Sequence, residues 1–427
     1  MFRTTTLSAA ALLGAALLAP TGATAAAETC QGQAATHVGS PGAQLVGTDG
    51  PDVIVTNGAV IFDALAGDDL VCVTGSTTNG TVFVDAGPGD DSVEVVTPGW
   101  STNADLGQGA DTFVSTTEAS QSVVAGASRE EDLEADVVRI AGPRSLVRSG
   151  TVGAPNTDII DLAGGTVYWR GLQAAPSSVT TAPGSALILE TNSRAVTLDA
   201  RQGRMSAADT SLDFSAFTTF DVTATAERGR FTFRGSSLDE RLTLRAPMKR
   251  DRYVVMGGGD DHYASDSTGR KSSIVRGSGG RDELLVNLPK HRVDVDLDRG
   301  RVKAGTGRRA SVGRATGFED LTVGAKKAFV DGTPAGEDIM VVACRARVSA
   351  DAGKDRVFFD EEIDDEWTPP TCSRWSAYAH GGRGRDQIFG GVGNDRLIGG
   401  PGKDVVDGST GRDACQAEKR RSCEKKI

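Results

Sequence analysis

Over most of its length the chain alternates short apolar–polar runs with turns. VTNGAVIFDAL, TVFVDA, RAVTLDA, RFTFRG and HRVDVDLD carry apolar side chains at every second position. That is the period of a half-buried β-strand. Glycine and aspartate gather between the runs. Helical periodicity is lacking after the N-terminal leader. Near the C-terminus the pattern tightens to a fixed step. Ile388, Leu397, Val406 and Cys415 recur every nine residues, each at the centre of a three-residue extended segment.

Each nine-residue unit has a glycine-rich half and a strand half. GGRGRDQIF (Gly381–Phe389), GGVGNDRLI (Gly390–Ile398) and GGPGKDVVD (Gly399–Asp407) precede a worn copy, GSTGRDACQ (Gly408–Gln416). Glycine permits positive φ and close backbone approach, so the first half can turn tightly with its carbonyls exposed. Two units close one coil, and coils stack as parallel strands about 4.8 Å apart. This register predicts Asp386 above Asp404 on one edge and Asp395 above Asp413 on the other. Stacked carboxylates repel, and exposed carbonyls need partners. A calcium ion answers both needs, because it accepts six to eight oxygens at flexible angles, whereas magnesium keeps its waters and a strict octahedron. His37, His262, His291 and His380 are scattered, which argues against zinc.

At these residues the chain resembles the RTX, or haemolysin-type calcium-binding, repeat family. The resemblance implies an all-β fold, a right-handed parallel β-roll or β-solenoid, strong at the C-terminus and degenerate upstream, with Ca2+ as cofactor. The family's sixth-position carboxylate maps onto Asp386, Asp395, Asp404 and Asp413. Its backbone ligands come from the turn, where Gly382, Gly384, Gly391, Gly393, Gly400 and Gly402 match, and Asn394 holds a fifth position. The other fifth positions depart from the family's usual Asn or Asp: they are Arg385, Lys403 and Arg412. Ser409 replaces a glycine in the fourth copy. These departures predict one or two full sites here, not a long metal column.

Upstream, Gly-x-Asp-x-apolar recurs singly around Asp52, Asp69, Asp91, Asp111, Asp261, Asp282, Asp338 and Asp355, with weaker echoes at Asp136, Asp158 and Asp239. Most steps are 17 to 25 residues, the length of a whole coil. The upstream chain is therefore expected to be a solenoid with Gly/Asp turns on one edge and a freer second edge. Asp68/Asp69, Asp90/Asp91 and Asp260/Asp261 crowd two carboxylates into one turn. Together with Asp52 and Asp111 they are further metal candidates, although ordinary turn chemistry favours the same residues. The expected organisation is a signal peptide (1–27), RTX-like coils (28–118), a degenerate β-rich region (119–250), further coils with an acidic loop (251–375) and a calcium-binding β-roll with a disulfide cap (376–427). Residues 119–250 read equally as worn coils or a β-sandwich.

Composition narrows the function. Glycine is 54 of 427 residues, and the formal charge of −11 disfavours nucleic acid as a partner. Met1–Ala27 reads as a secretory leader, with Arg3, an apolar core and small residues before the expected cleavage point. Its core is too short to span a membrane. Six cysteines in an exported chain suggest three bridges. Neighbours in sequence give Cys30–Cys72, Cys344–Cys372 and Cys415–Cys423, among fifteen conceivable pairings. The second pair brackets DEEIDDEWTPP (Asp360–Pro370), expected to protrude. The basic tail reads as a solvated cap over an otherwise open strand edge.

No H-E-x-x-H, G-x-S-x-G or P-loop occurs. The expectation is a non-enzymatic, secreted, extracellular calcium-binding repeat protein with a structural or adhesive role and no membrane span. Its partners would be calcium ions and an extracellular polysaccharide or cell surface. The alternative is a β-helix polysaccharide lyase or epimerase, for which Tyr253, Asp261, His262, Tyr263 and Arg281 form the candidate cluster. A groove lined by converging Asp, Arg, Lys or aromatic side chains favours that alternative; a flat polar face favours the scaffold.

Overall fold

A computed structural model describes residues 28–75, 80–126, 132–306, 310–363 and 366–427. The expected leader lies outside them. Among the described residues there is no helix, and none that could cross a membrane. The fold is a parallel β-solenoid of about 17 turns.

One parallel ladder runs the length of the molecule. It begins with Gln44–Val46, Ile61–Asp63 and Gly80–Asp85 and ends with Gln387–Phe389, Val405–Asp407 and Lys419–Arg421. Through its middle run Ser122–Ala125, Ser145–Ser149, Gly165–Trp169, Ser185–Thr191, Phe217–Ala224 and Arg241–Arg245. The described residues within 119–250 are thus worn coils of the same solenoid. Facing this ladder upstream is a second one, from His37–Val38 to Ser178–Thr180. Downstream its place is taken by a third, from Ala195–Asp199 and Arg230–Arg234 to Ala414–Gln416 and Lys425–Lys426.

Side chains alternate across each strand, so every second residue enters a core continuous along the axis. Ile388, Leu397, Val406 and Cys415 are all fully buried there, as their nine-residue spacing requires. Two antiparallel insertions interrupt the coil: Arg204–Ser206 with Thr210–Asp213, and Arg301–Ala304 with Ser311–Thr316. Both are longer than the repeat can accommodate, so the extra chain pairs with itself at the edge.

Three disulfides join Cys30–Cys72, Cys344–Cys372 and Cys415–Cys423. The first ties an N-terminal hairpin, Thr29–Cys30 with Gln33–Ala34, onto the opening coils. At the far end, Lys419–Arg421 and Lys425–Lys426 form the last rungs, fully exposed and cationic, a composition that discourages edge-to-edge pairing. The acidic segment after Phe359 does not protrude as a whole. It folds back along the long face as a strap. Ile363 and Trp367 are buried against Ala264, Leu285 and Val342, and the Thr368 carbonyl accepts from Asn287 Nδ2 at 3.1 Å. The strap's apolar residues had outward-facing apolar residues to cover, which its acidic composition masks in the sequence.

Candidate calcium site

The glycine-rich turns set the site. In the turns before Asp386, Asp395 and Asp413, the residues four and two positions ahead of the acid both have positive φ: Gly382 and Gly384, Gly391 and Gly393, Ser409 and Gly411. A Cβ on Gly384 would collide with the Gly353 carbonyl oxygen of the neighbouring coil. The same φ pair recurs upstream at Gly87 and Gly89, Gly107 and Gly109, and Gly257 and Gly259. It persists even where the first glycine is lost, at Leu65, Ser278 and Asp351. These turns are one conformation, inside and outside the nine-residue repeats.

Each turn delivers a carboxylate into the wall. The Asp386 N–H donates to Asp404 Oδ1 at 2.9 Å, and the Asp395 N–H to Asp413 Oδ1 at 2.9 Å. The same bond links Asp52 to Asp69, Asp69 to Asp91, Asp91 to Asp111, Asp111 to Asp136 and Asp136 to Asp158. Downstream it links Glu240 to Asp261, Asp261 to Asp282, Asp282 to Glu319, Glu337 to Asp355 and Asp355 to Asp386. Glu418 and Glu424 terminate the two C-terminal columns, accepting from Asp404 and Asp413. The upstream column leads into the second ladder and the downstream column into the long ladder. Among the described residues, the C-terminal coils alone carry such acid columns on both edges.

One oxygen of each carboxylate is spent on this bond. The other, Oδ2, is buried without a hydrogen-bond partner at Asp69, Asp91, Asp111, Asp136, Asp261, Asp282, Asp355, Asp386, Asp395, Asp404 and Asp413. A buried unpaired carboxylate is costly. Burial therefore lifts the Asp395 carboxyl to about 7 and Asp91 to about 8, and Asp136 rises to about 9 with the added repulsion of Asp158. In the C-terminal turns a glycine faces the open oxygen: a Cβ on Gly399 would stand 2.6 Å from Asp404 Oδ2, and one on Gly390 2.9 Å from Asp395 Oδ2. Among the described residues no three His, Cys, Asp or Glu side chains converge. The donor set is one carboxylate oxygen per turn beside stacked backbone carbonyls. That set fits a hard cation with flexible coordination, as calcium has. When bound, calcium supplies the positive charge that lets these acids ionise.

The structure sorts the sequence candidates. Asp386, Asp395, Asp404 and Asp413 are all buried in the columns. Asp69, Asp91, Asp111 and Asp261 join the same kind of row. Asp52 differs: it caps the row, with Oδ1 bonded by Thr36 Oγ1 and Oδ2 by the Thr48 N–H and hydroxyl. Burial pushes its carboxyl up, yet these bonds bring it below the ordinary value. Asp68, Asp90 and Asp260 do not crowd their neighbours. Adjacent residues point to opposite sides, so these three are exposed and brace an outer row, with Asp68 accepting from the Asp90 N–H and Asp260 from the Arg281 N–H. Asn394 does the same for the Arg412 N–H. Arg385, Lys403 and Arg412 are exposed, away from the column. At two turns the register moves by one residue: Glu240 and Glu337, not Asp239 and Asp338, occupy the column. In each case the column acid lies two residues before the buried apolar residue, Leu242 or Ile339. That spacing, not the identity Asp, was the usable signal.

Among the described residues, no acid column extends along the opposite edge of the middle coils. There two buried arginines serve the carbonyls. Arg250 donates to the Ser193, Arg194 and Ala226 carbonyls, and Arg252 to the Ala246 and Ser267 carbonyls. Neither was legible as structural from sequence.

The residues offered as a catalytic cluster do not converge. Tyr263 and Asp261 are buried in the core and column, Tyr253 lies on the third ladder, His262 pairs with Glu283 at 2.9 Å and Arg281 with Asp320.

Residues 380–414 match the family model of the RTX calcium-binding nonapeptide repeat, in four copies. The C-terminal coils are accordingly RTX calcium-binding repeats of the β-roll type, carried at the end of a longer β-solenoid. No curated protein matches the chain.

Proposed function

We propose that this is a secreted protein whose extracellular solenoid is ordered by calcium and serves a structural or adhesive role. The supporting observation is the set of buried, unpartnered carboxylate oxygens repeated along the turns, in a conformation shared with the RTX repeats. A fold carrying that many buried acids is costly without a cation and becomes stable with one, which couples folding to the calcium-rich exterior. The three disulfides suit an oxidising compartment. Metal analysis of the purified chain, with thermal melts in calcium and in EGTA, tests this. Bound calcium and a higher melting temperature in calcium are expected. A chain without calcium, melting identically in both, refutes it.

One observation favours a second reading, a carbohydrate-active β-helix enzyme. A cavity of about 450 Å³ on the third ladder is lined by Arg292, Asp294, Asp296, Arg301, Lys303, Phe329, Asp331 and Arg347. Incubation with uronate polysaccharides decides it: ultraviolet absorbance from unsaturated uronide ends, or epimerised uronates by NMR, would support the enzyme, and unchanged polymer would refute it.

A further inference from the structure

Charge is divided along the chain. Residues 28–190 contain 21 acidic and 5 basic residues, whereas residues 191–427 contain 36 acidic and 40 basic. The excess of cations downstream is concentrated in part on the outward side of the third ladder. There the strand register stacks Phe329 beside Arg347, Arg347 beside Tyr378 and Tyr378 beside Arg396. Aromatic rings and guanidinium groups therefore alternate along the solenoid axis, one step per coil. Successive steps are about 4.8 Å, so Arg347 and Arg396 stand roughly 10 Å apart. Upstream the register sets Asp294 beside Phe329, and Arg292, two residues earlier on the same strand, lies over the Phe329 ring with its guanidinium 3.9 Å from the ring centre. Arg347 lies 5.1 Å from the ring of Tyr378.

Carboxylates on this face are partly engaged. Asp294 is held by Arg292 at 2.6 Å and Asp296 by Arg299 at 3.0 Å. Asp331 also lines the cavity. Arg301, Arg347 and Arg396 have no carboxylate partner among the described residues and are exposed. Exposed guanidinium groups suit planar, bidentate recognition of carboxylate or sulfate. The half-buried Phe329 and Tyr378 rings, each with an arginine over one face, add apolar surface beside these charges that a sugar ring can contact. The row follows the ladder register, and the cavity lies at its upstream end.

We infer that the outward row Phe329–Arg347–Tyr378–Arg396, flanked by Arg292 and Arg301, binds an anionic polysaccharide lying along the solenoid axis. This rests on the adhesive reading of the protein and names its partner class. The occupant is a carboxylated or sulfated glycan, whose repeating sugars and charges match a repeating row of rings and cations. A neutral glycan would leave the cations unused.

Affinity electrophoresis of the intact calcium-loaded protein, in gels containing chondroitin sulfate, neutral dextran or single-stranded DNA, tests the inference. Retardation by chondroitin sulfate, and not by dextran, is expected. The double variant Arg347→Glu/Arg396→Glu should weaken it by roughly tenfold or more. Phe329→Ala/Tyr378→Ala, which keeps every charge, should weaken it by a smaller factor. Calcium content and melting temperature should be unchanged in Arg347→Glu/Arg396→Glu, because both side chains are exposed. Normal calcium binding without retardation overturns the glycan site and leaves the calcium reading intact. Equal retardation by DNA overturns it in favour of unselective polyanion binding. Retardation that survives both double variants also overturns it, as does migration that reflects self-association of the protein alone in sedimentation.

Discussion

Replacing Asp395 by asparagine should change the sign of its effect with calcium. Asp395 Oδ1 accepts the Ala377 N–H at 2.6 Å, and an asparagine carbonyl keeps that bond. The change falls on Oδ2, buried and unpartnered. Without metal the carboxyl titrates at about 7, raised from 3.8 mainly by burial. Each pKa unit corresponds to about 1.4 kcal/mol, so with a rise of about three units, holding this group ionised at about pH 8 costs the metal-free fold on the order of 4 kcal/mol. Asparagine removes that cost, so the variant should be more stable than the parent in EGTA. In calcium the same substitution deletes the charged ligand, so the variant should be less stable and bind calcium more weakly. Denaturant melts of both proteins, with and without calcium, read the four values. Asp407→Asn serves as the control, since Asp407 is partly exposed outside the columns and bonds only its local turn. A shift of stability in the same direction under both conditions for Asp395→Asn, or identical behaviour of Asp407→Asn, refutes a metal-binding role for this carboxylate.

Other outcomes follow from the same geometry. Asp91, Asp136 and Asp355 titrate at about 8, 9 and 7 when folded without metal. Their folded values lie above the unfolded ones, so the stability they contribute is present below about pH 4 and lost as pH rises through 7 to 9. Urea melts in EGTA should therefore show a weaker fold at about pH 8.5 than at about pH 5, and calcium should abolish this slope. Gly384→Ala should destabilise by about 2–4 kcal/mol or prevent the C-terminal coils from forming, because the new methyl meets a backbone carbonyl; circular dichroism with calcium titration checks it. Arg252→Met should cost about 2–4 kcal/mol equally in calcium and EGTA, since it strips donors from buried carbonyls and touches no column. Breaking Cys344–Cys372 by double serine substitution should cost about 3–4 kcal/mol for a loop of this size and raise proteolysis of the strap.

The repeat made much of the fold legible. An apolar residue locked in phase with a glycine-rich turn leaves few alternatives, so the burial of Ile388, Leu397 and Val406 and the stacking of Asp386 on Asp404 follow from spacing alone. Upstream the coil length drifts, and at two turns Glu240 and Glu337 hold the column beside the more conspicuous Asp239 and Asp338. The Glu240 side chain is one methylene longer, and its carboxylate still occupies the column position. In the adjacent acid pairs, strand alternation sends one carboxylate inward and the other outward, which the pair alone does not reveal. Arg250 and Arg252 look like any surface cations in sequence; only the closing of neighbouring turns around them reveals their partners. The strap was hidden by its acids, since only Ile363 and Trp367 decide how it lies.

The sulfur bridge near the beginning of the chain has a mechanical meaning. Polypeptide enters the solenoid at one end and leaves at the other, so tension on the two tails would peel rungs away singly, as a zip opens. A load applied ahead of Cys30 passes directly to Cys72. The first loops are thereby shielded from force, and any unravelling from that side must start at a deeper, better-packed strand.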